Sequence, residues 1–197
     1  MILQDIINII ESVAPLSYQE SWDNSGLQVG DRNAEVHAAL LTVDVTESVV
    51  DEAIEKHCDL IISHHPLIFR GLKQITGSTT QERCIEKAIR HNIAIYSSHT
   101  SMDVYLHGVS GKIADKLDII NYHILCPTTD DNVGLGVIGE LKTPMKSDDF
   151  IHFVQNIFDC SLRYIKPCDE NITTVAICGG AGAEFITQAI AQGADIY

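Results

Sequence analysis

The run Asp59-Leu-Ile-Ile-Ser-His64-His65-Pro66 delivers two adjacent imidazoles and then a proline at the end of a short apolar stretch. Imidazole nitrogens bind divalent metals, so a histidine pair at a strand's end is a candidate metal site. Successive strand residues point to opposite faces. Both rings reach one ion only if the backbone turns after Ser63; otherwise each serves its own ion, or one ring merely caps the strand. A second apolar run, Ile93-Ala-Ile-Tyr-Ser-Ser98, ends in His99-Thr-Ser-Met-Asp103. In an open parallel sheet the carboxyl ends of neighbouring strands face one crevice, which would collect His64, His65, His99 and Asp103. Imidazoles with a carboxylate suit zinc, iron, manganese or nickel, and no cysteine pair lies nearby to close a structural zinc site. The chemistry to expect is that of an open, catalytic metal centre.

Each of these residues has a competing role. Asp103 reads as a ligand or as the N-cap of the next turn. His99 reads as a catalytic acid or base, as a group that orients a ligand, or as a hydrogen-bonded histidine at a strand end. Asp44, at the end of an earlier strand, either joins the crevice or orders the neighbouring loop. Trp22-Asp-Asn24 is expected to form a loop over the site, with core packing the alternative for Trp22. His37, His57, His91, His107, His123 and His152 show no ligand spacing.

The elements that must position these groups follow from apolar periodicity. Residues 38–45 read as a buried strand, Thr46 as a helix cap, 47–57 as a helix and 60–63 as the next strand. A helix over 80–91 and a strand over 93–98 repeat the unit, and 109–117 with 119–125 continue it. Helices alternating with apolar strands imply a mainly parallel sheet flanked by helices. The polar, Asp-rich stretch 127–132 suggests a boundary between two similar α/β lobes, 1–126 and 127–197. In the second lobe a strand over 133–141, a helix over 147–158 opened by Ser147-Asp-Asp149, and a strand over 175–178 are expected. That last strand runs into Gly179-Gly-Ala-Gly182 and a helix over 183–192, a junction that either holds an anion or makes a tight turn. Gly193-Ala-Asp-Ile-Tyr197 reads as the start of another strand, so a further C-terminal part is expected to be missing from this chain.

Composition narrows the function classes. With 45% hydrophobic and 20% charged residues over 197 positions, the chain has the make-up of an ordinary globular protein. A formal charge of −14 argues against nucleic acid as a partner, because phosphate backbones are bound by basic patches. A pair of bound cations would still create a local positive centre for a phosphorylated small molecule. Residues 1–11 lack a basic leader and read as an amphipathic helix, and no run is long enough for a membrane span. Cys58, Cys84, Cys126, Cys160, Cys168 and Cys178 form no Cys-x-x-Cys pair, which points to reduced thiols and a cytoplasmic setting.

The ordered motifs Trp22-Asp-Asn-Ser-Gly-Leu-Gln-Val-Gly30, His64-His65-Pro66, His99-Thr-Ser-Met-Asp103, Cys178-Gly-Gly-Ala-Gly182 and Gly193-Ala-Asp195 together resemble the Nif-three-like family, also named GTP cyclohydrolase 1 type 2 homologues. The resemblance spans nearly the whole chain. It implies an α/β fold, a toroidal homohexamer and two divalent metal ions per site, with His65 and Asp103 on one ion and His64 on the other. It also implies a further His and Glu on a later segment, without which a chain of this length would lack two ligands and be of doubtful activity. The activity implied is metal-dependent hydrolysis of a small molecule, a nucleotide such as GTP, with His99 nearest for proton transfer. The rival reading is a non-enzymatic metal-binding ring or scaffold that recruits protein partners.

Overall fold

The computed structural model describes residues 1–130, 133–165 and 171–197. The chain divides into two compact units, Met1–Met102 and Asp103–Tyr197. It is a mixed α/β protein.

Unit 1 runs α1 (Leu3–Val13), β1 (Gly26–Val29), β2 (Ala39–Thr42), α2 (Glu47–Glu55), β3 (Leu60–Ser63), α3 (Thr80–Arg90) and β4 (Ala94–Ser97). Its sheet has the order β1-β4-β3-β2. Strands β2, β3 and β4 are parallel, and β1 pairs antiparallel with β4 at the edge. Alternation along β3 and β4 sends side chains to two cores. Ile61 and Ile95 join Val50 and Ala53 of α2 and Cys84 and Ala88 of α3 on one face. Leu60, Ala94 and Tyr96 join Leu3 and Ile7 of α1 on the other. Leu60 and Ile61 are both fully buried, and each such side chain stabilises the fold by roughly 1.5–3 kcal/mol. Covered on both faces, the sheet is a rigid platform whose strand ends can hold side chains in fixed positions.

Local chemistry fixes where the helices begin. The Thr46 hydroxyl accepts the Val49 amide, and the Thr79 hydroxyl accepts the Glu82 amide. Each satisfies an amide that the first helical turn leaves without a partner. Gly30 closes β1 at φ +123°, and a Cβ there would come 2.7 Å from the Ala94 Cβ, so only glycine lets the edge strand end this close to β4.

Unit 2 runs α5 (Val109–Lys116), β5 (Ile119–Asp130), β6 (Val133–Lys146), α6 (Ser147–Phe158), β7 (Asn171–Ile177) and α7 (Ile186–Ala191), after the short helix α4 (Thr100–Asp103) that spans the division. Its sheet, β5-β6-β7, is antiparallel. Here the structure differs from a simple continuation of the parallel pattern, because β5 and β6 are long neighbours that pair along their length. The boundary expected at 126/127 falls within β5; Asp131 and Asn132 of that polar stretch lie outside the described residues, as does Cys168. Phe150, Ile172, Val175, Val137 and Leu117 build the core on one face. Leu125, Ile138, Ala176 and Ala189 build it on the other. Ile196 bridges Val175 in parallel, in keeping with the strand expected at 193–197. The glycine run bends at residues 179–181 with Gly180 at φ +71°, and a Cβ on Gly182 would come 2.5 Å from the Tyr197 Oη. The five described cysteines are free thiols.

Candidate metal centre

The site is built where the parallel strands of unit 1 end. Ser63 and Ser97 are register partners at the last positions of β3 and β4, and their buried hydroxyls lie 2.8 Å apart. Beyond them the ladder runs on briefly: the His64 amide donates to the Thr42 carbonyl, the His65 amide to Val43, and the Ser98 amide to Ser63. The chain then bends at His64 and His65. The Ser63 hydroxyl closes the bend by donating to the His65 carbonyl at 2.9 Å. Regular strand geometry would have separated the two rings; after this bend their centroids are 5.0 Å apart.

His99, arriving from β4, completes the group. Its ring centroid lies 5.2 Å from that of His64 and 5.5 Å from that of His65. One ligand nitrogen from each of the three histidines falls within 4.8 Å of the others, close enough to hold a metal ion. Asp103 closes α4 just after His99 in the chain and is not part of this three-histidine group; the N-cap position of α5 belongs to Gly108.

Each imidazole is oriented from behind. His64 Nδ1 lies 3.0 Å from the Ser98 carbonyl, His65 Nδ1 lies 2.7 Å from Asp44 Oδ1, and His99 Nδ1 lies 2.8 Å from Asp23 Oδ1. A carbonyl and two carboxylates are acceptors, so each Nδ1 carries the proton and the lone pair of the neutral ring falls on Nε2. Histidines that bind metals show this arrangement, with the second nitrogen donating to a carboxylate or carbonyl. The donor set therefore fits a divalent metal.

The two rear carboxylates differ in setting. Asp44, at 64% side-chain exposure, acts in contact with solvent. Asp23 is fully buried. Burial alone would raise its pKa, but hydrogen bonds from Thr100, His99, Ser25 and the Asn24 amide outweigh that and hold it at about 2. Ser25 also accepts the His99 amide. The carboxylate is thus a fixed anion whose contacts set both the ring and the backbone of His99.

The Trp22 segment does form a loop at this site, and Trp22 itself is 57% exposed rather than packed in the core. Sequence reasoning missed two things here: the orienting role of Asp23, and Phe69, whose ring lies 6.5 Å from that of His99. Asp23 and His99 are far apart in the chain, so no local pattern links them. A signal did exist in the density of polar residues around Asp23.

A family model described as Duf34/NIF3 (NGG1p interacting factor 3) matches residues 1–197. The chain belongs to the DUF34/NIF3 family. A Clostridium acetobutylicum relative named GTP cyclohydrolase 1 type 2 homolog is 37% identical over 196 residues, covering 98% of this chain and 73% of the relative. The Drosophila melanogaster NIF3-like protein 1 is 34% identical over 189 residues, covering 93% of this chain and 65% of the relative. Among solved structures, a Bacillus cereus protein related to NIF3 superposes with a TM-score of 0.92 at 26% identity, over all of this DUF34/NIF3 chain and 81% of that one. Among the described residues, no helix is long and apolar enough to cross a membrane.

Proposed function

We propose that this DUF34/NIF3 protein is a metal-dependent hydrolase, with His64, His65 and Asp103 as metal ligands and His99 as the group that moves the proton. The observation that carries the proposal is the convergence of three imidazoles, each with Nδ1 set against an acceptor. Bound divalent ions, two of zinc, iron, manganese or nickel, would supply Lewis-acid polarisation and a water acidified for attack. The protein's own contribution is orientation. Ser98 and Asp44 aim the rings of His64 and His65. Asp23 aims His99, and a buried carboxylate behind an imidazole is the arrangement that holds a proton carrier in one tautomer. The substrate class is a nucleotide, supported by the name GTP cyclohydrolase 1 type 2 homolog that the relatives bear. A ring of six copies is part of the same proposal and is read by sedimentation velocity.

The test pairs metal content with turnover of GTP. His65→Ala should lower bound metal and turnover together, whereas His99→Gln should keep the metal and lose the turnover. Equal loss of metal in both variants would make His99 a ligand instead. No metal in the parent protein after reconstitution with zinc, manganese and iron would overturn the hydrolase and leave a scaffold.

A further inference from the structure

Two large aromatic side chains stand exposed beside the histidines. Trp22 is 57% and Phe69 43% accessible. Their rings meet edge to face, with centroids 6.0 Å apart and planes at 61°, and the Trp22 ring lies 6.1 Å from that of His99. Adjoining exposed aromatic side chains at the mouth of a polar site form an apolar surface of the kind that ligands bind.

The backbone beneath the two rings is held by side chains from neighbouring segments. Asn24 Nδ2 donates to the Ile68 carbonyl at 2.6 Å, and the Ile68 amide donates to Gln28 Oε1 at 3.0 Å. Gln28 in turn donates to the Asn24 carbonyl, and Gln81 donates to the Leu67 carbonyl. The loop that carries Phe69 is thereby fixed to the loop that carries Trp22. Asp23, between Trp22 and Asn24, is the residue that orients His99. One short motif therefore sets a ring, a proton carrier and a loop anchor in the same place.

Charge adds a second observation. In unit 1 the side chains of Lys56, Arg83, Lys87 and Arg90 are engaged by carboxylates, and Arg32 by Gln4. Arg70, next to Phe69, and Lys73, four positions after it, have no such partner among the described residues. In a chain of net charge −14, two exposed cations with no carboxylate on them are the groups of this loop that an anion would meet.

We propose that Trp22 and Phe69 form an angled aromatic platform, one ring stacking on a planar heteroaromatic base and the other meeting its edge, and that Arg70 and Lys73 take the phosphates attached to that base. The substrate then lies with its base beside His99. This deepens the nucleotide reading above and rests on it for the reaction, while the binding itself stands apart from metal. Aromatic faces bind any base by stacking, so the platform fixes the class of ligand and the reacting groups choose among bases.

Trp22 is the only tryptophan in the chain, so its emission reports the platform directly. GTP, guanosine and inorganic triphosphate would each be titrated against the protein with and without metal, with bound metal measured in the same samples. GTP and guanosine should quench the emission, and triphosphate should compete with GTP without quenching. Phe69→Leu should weaken GTP roughly tenfold and Phe69→Tyr should retain it. The double variant Arg70→Ala, Lys73→Ala should weaken GTP and leave guanosine unchanged. Absence of quenching by either guanine compound, or unchanged GTP affinity in Phe69→Leu, overturns the platform; unchanged GTP affinity in the double variant overturns the phosphate assignment. Quenching in a protein that takes up no metal would uphold the platform and remove the hydrolase. Metal uptake without quenching would do the reverse.

Discussion

Asp23 and His99, separated by most of unit 1 in sequence, are joined by a 2.8 Å hydrogen bond between a fully buried carboxylate and a ring that is only 17% exposed. The carboxylate takes five donors: the Asn24 and Thr100 amides, the Ser25 and Thr100 hydroxyls, and the His99 ring. It therefore serves the fold and the site at once.

That dual role predicts a specific acid sensitivity. The pKa of Asp23 is held at about 2, below its ordinary value of 3.8. A carboxyl with a depressed folded-state pKa contributes stability that is full above the unfolded value and is lost as pH falls through the folded one. From these two values the contribution near neutral pH is about 2 kcal/mol. Asp23→Asn should lower the unfolding free energy from urea titration at pH 7 by that order, and the gap from the parent protein should narrow between about pH 4 and pH 2. A gap constant with pH would show that the charge of Asp23 is not what stabilises the fold.

Glu82 makes a second, independent acid-sensitive contact. Its carboxylate accepts the Thr76 and Ser78 amides and both of their hydroxyls, and hydrogen bonding from Thr76 first holds its pKa at about 2. The sign is the same as for Asp23: the stabilisation is present above the ordinary glutamate range and lost on acidification through the folded value. Glu82→Gln should loosen residues 76–78 from α3, seen as faster amide exchange at Thr76 and Ser78 at pH 7. Because this contact is remote from the histidines in role, metal affinity should be unchanged in the same variant.

How much of this was legible in the sequence depends on how local each cause is. The expected strand 60–63 coincides with β3 and the expected helix 147–158 with α6, because a short apolar run between polar residues and a helical stripe are local signals. The helix cap there differs: Lys146 takes the N-cap position with no side-chain bond, since Lys146 is also the last residue of β6, paired with Asn171 of β7. Strand β6 runs past the expected 141 for the same reason, a tertiary pairing that the residues themselves do not announce. In the site, His64, His65 and His99 were legible from their places after apolar runs. Asp44 in the crevice stood as one of two readings, but its bond to His65 and that of Asp23 to His99 did not arise, because a hydrogen bond between distant segments leaves no periodic trace.

Asp44 offers a test of orientation without burial. Its bond to His65 Nδ1 is short, but both side chains are about half exposed or more, so solvent screens the charge and leaves geometry as its main contribution. Removing a carboxylate behind a metal-binding histidine typically weakens metal affinity about 10- to 100-fold. Asp44→Ala should show a loss of that order in competition with a chelator, while its thermal midpoint stays close to that of the parent. Unchanged metal affinity would mean that His65 does not depend on Asp44 for its orientation.

Ser63 and Ser97 separate the stability of the sheet from the placement of the ligands. Ser63 has one hydroxyl proton, and donating it to the His65 carbonyl requires Ser97 to supply the proton of the 2.8 Å contact between the two hydroxyls. Ser97→Ala removes that donor and leaves the bend at His65 closed by Ser63. Ser63→Ala opens the bend and also strands the Ser97 hydroxyl, which is fully buried. An unsatisfied buried polar group costs about 1–3 kcal/mol, so Ser63→Ala should be the less stable of the two in urea. Metal affinity should divide them more sharply: retained in Ser97→Ala, reduced in Ser63→Ala, where His65 is released from its bend. Equal metal affinity in both would place the control of His65 with Asp44 and the ladder bond to Val43 instead.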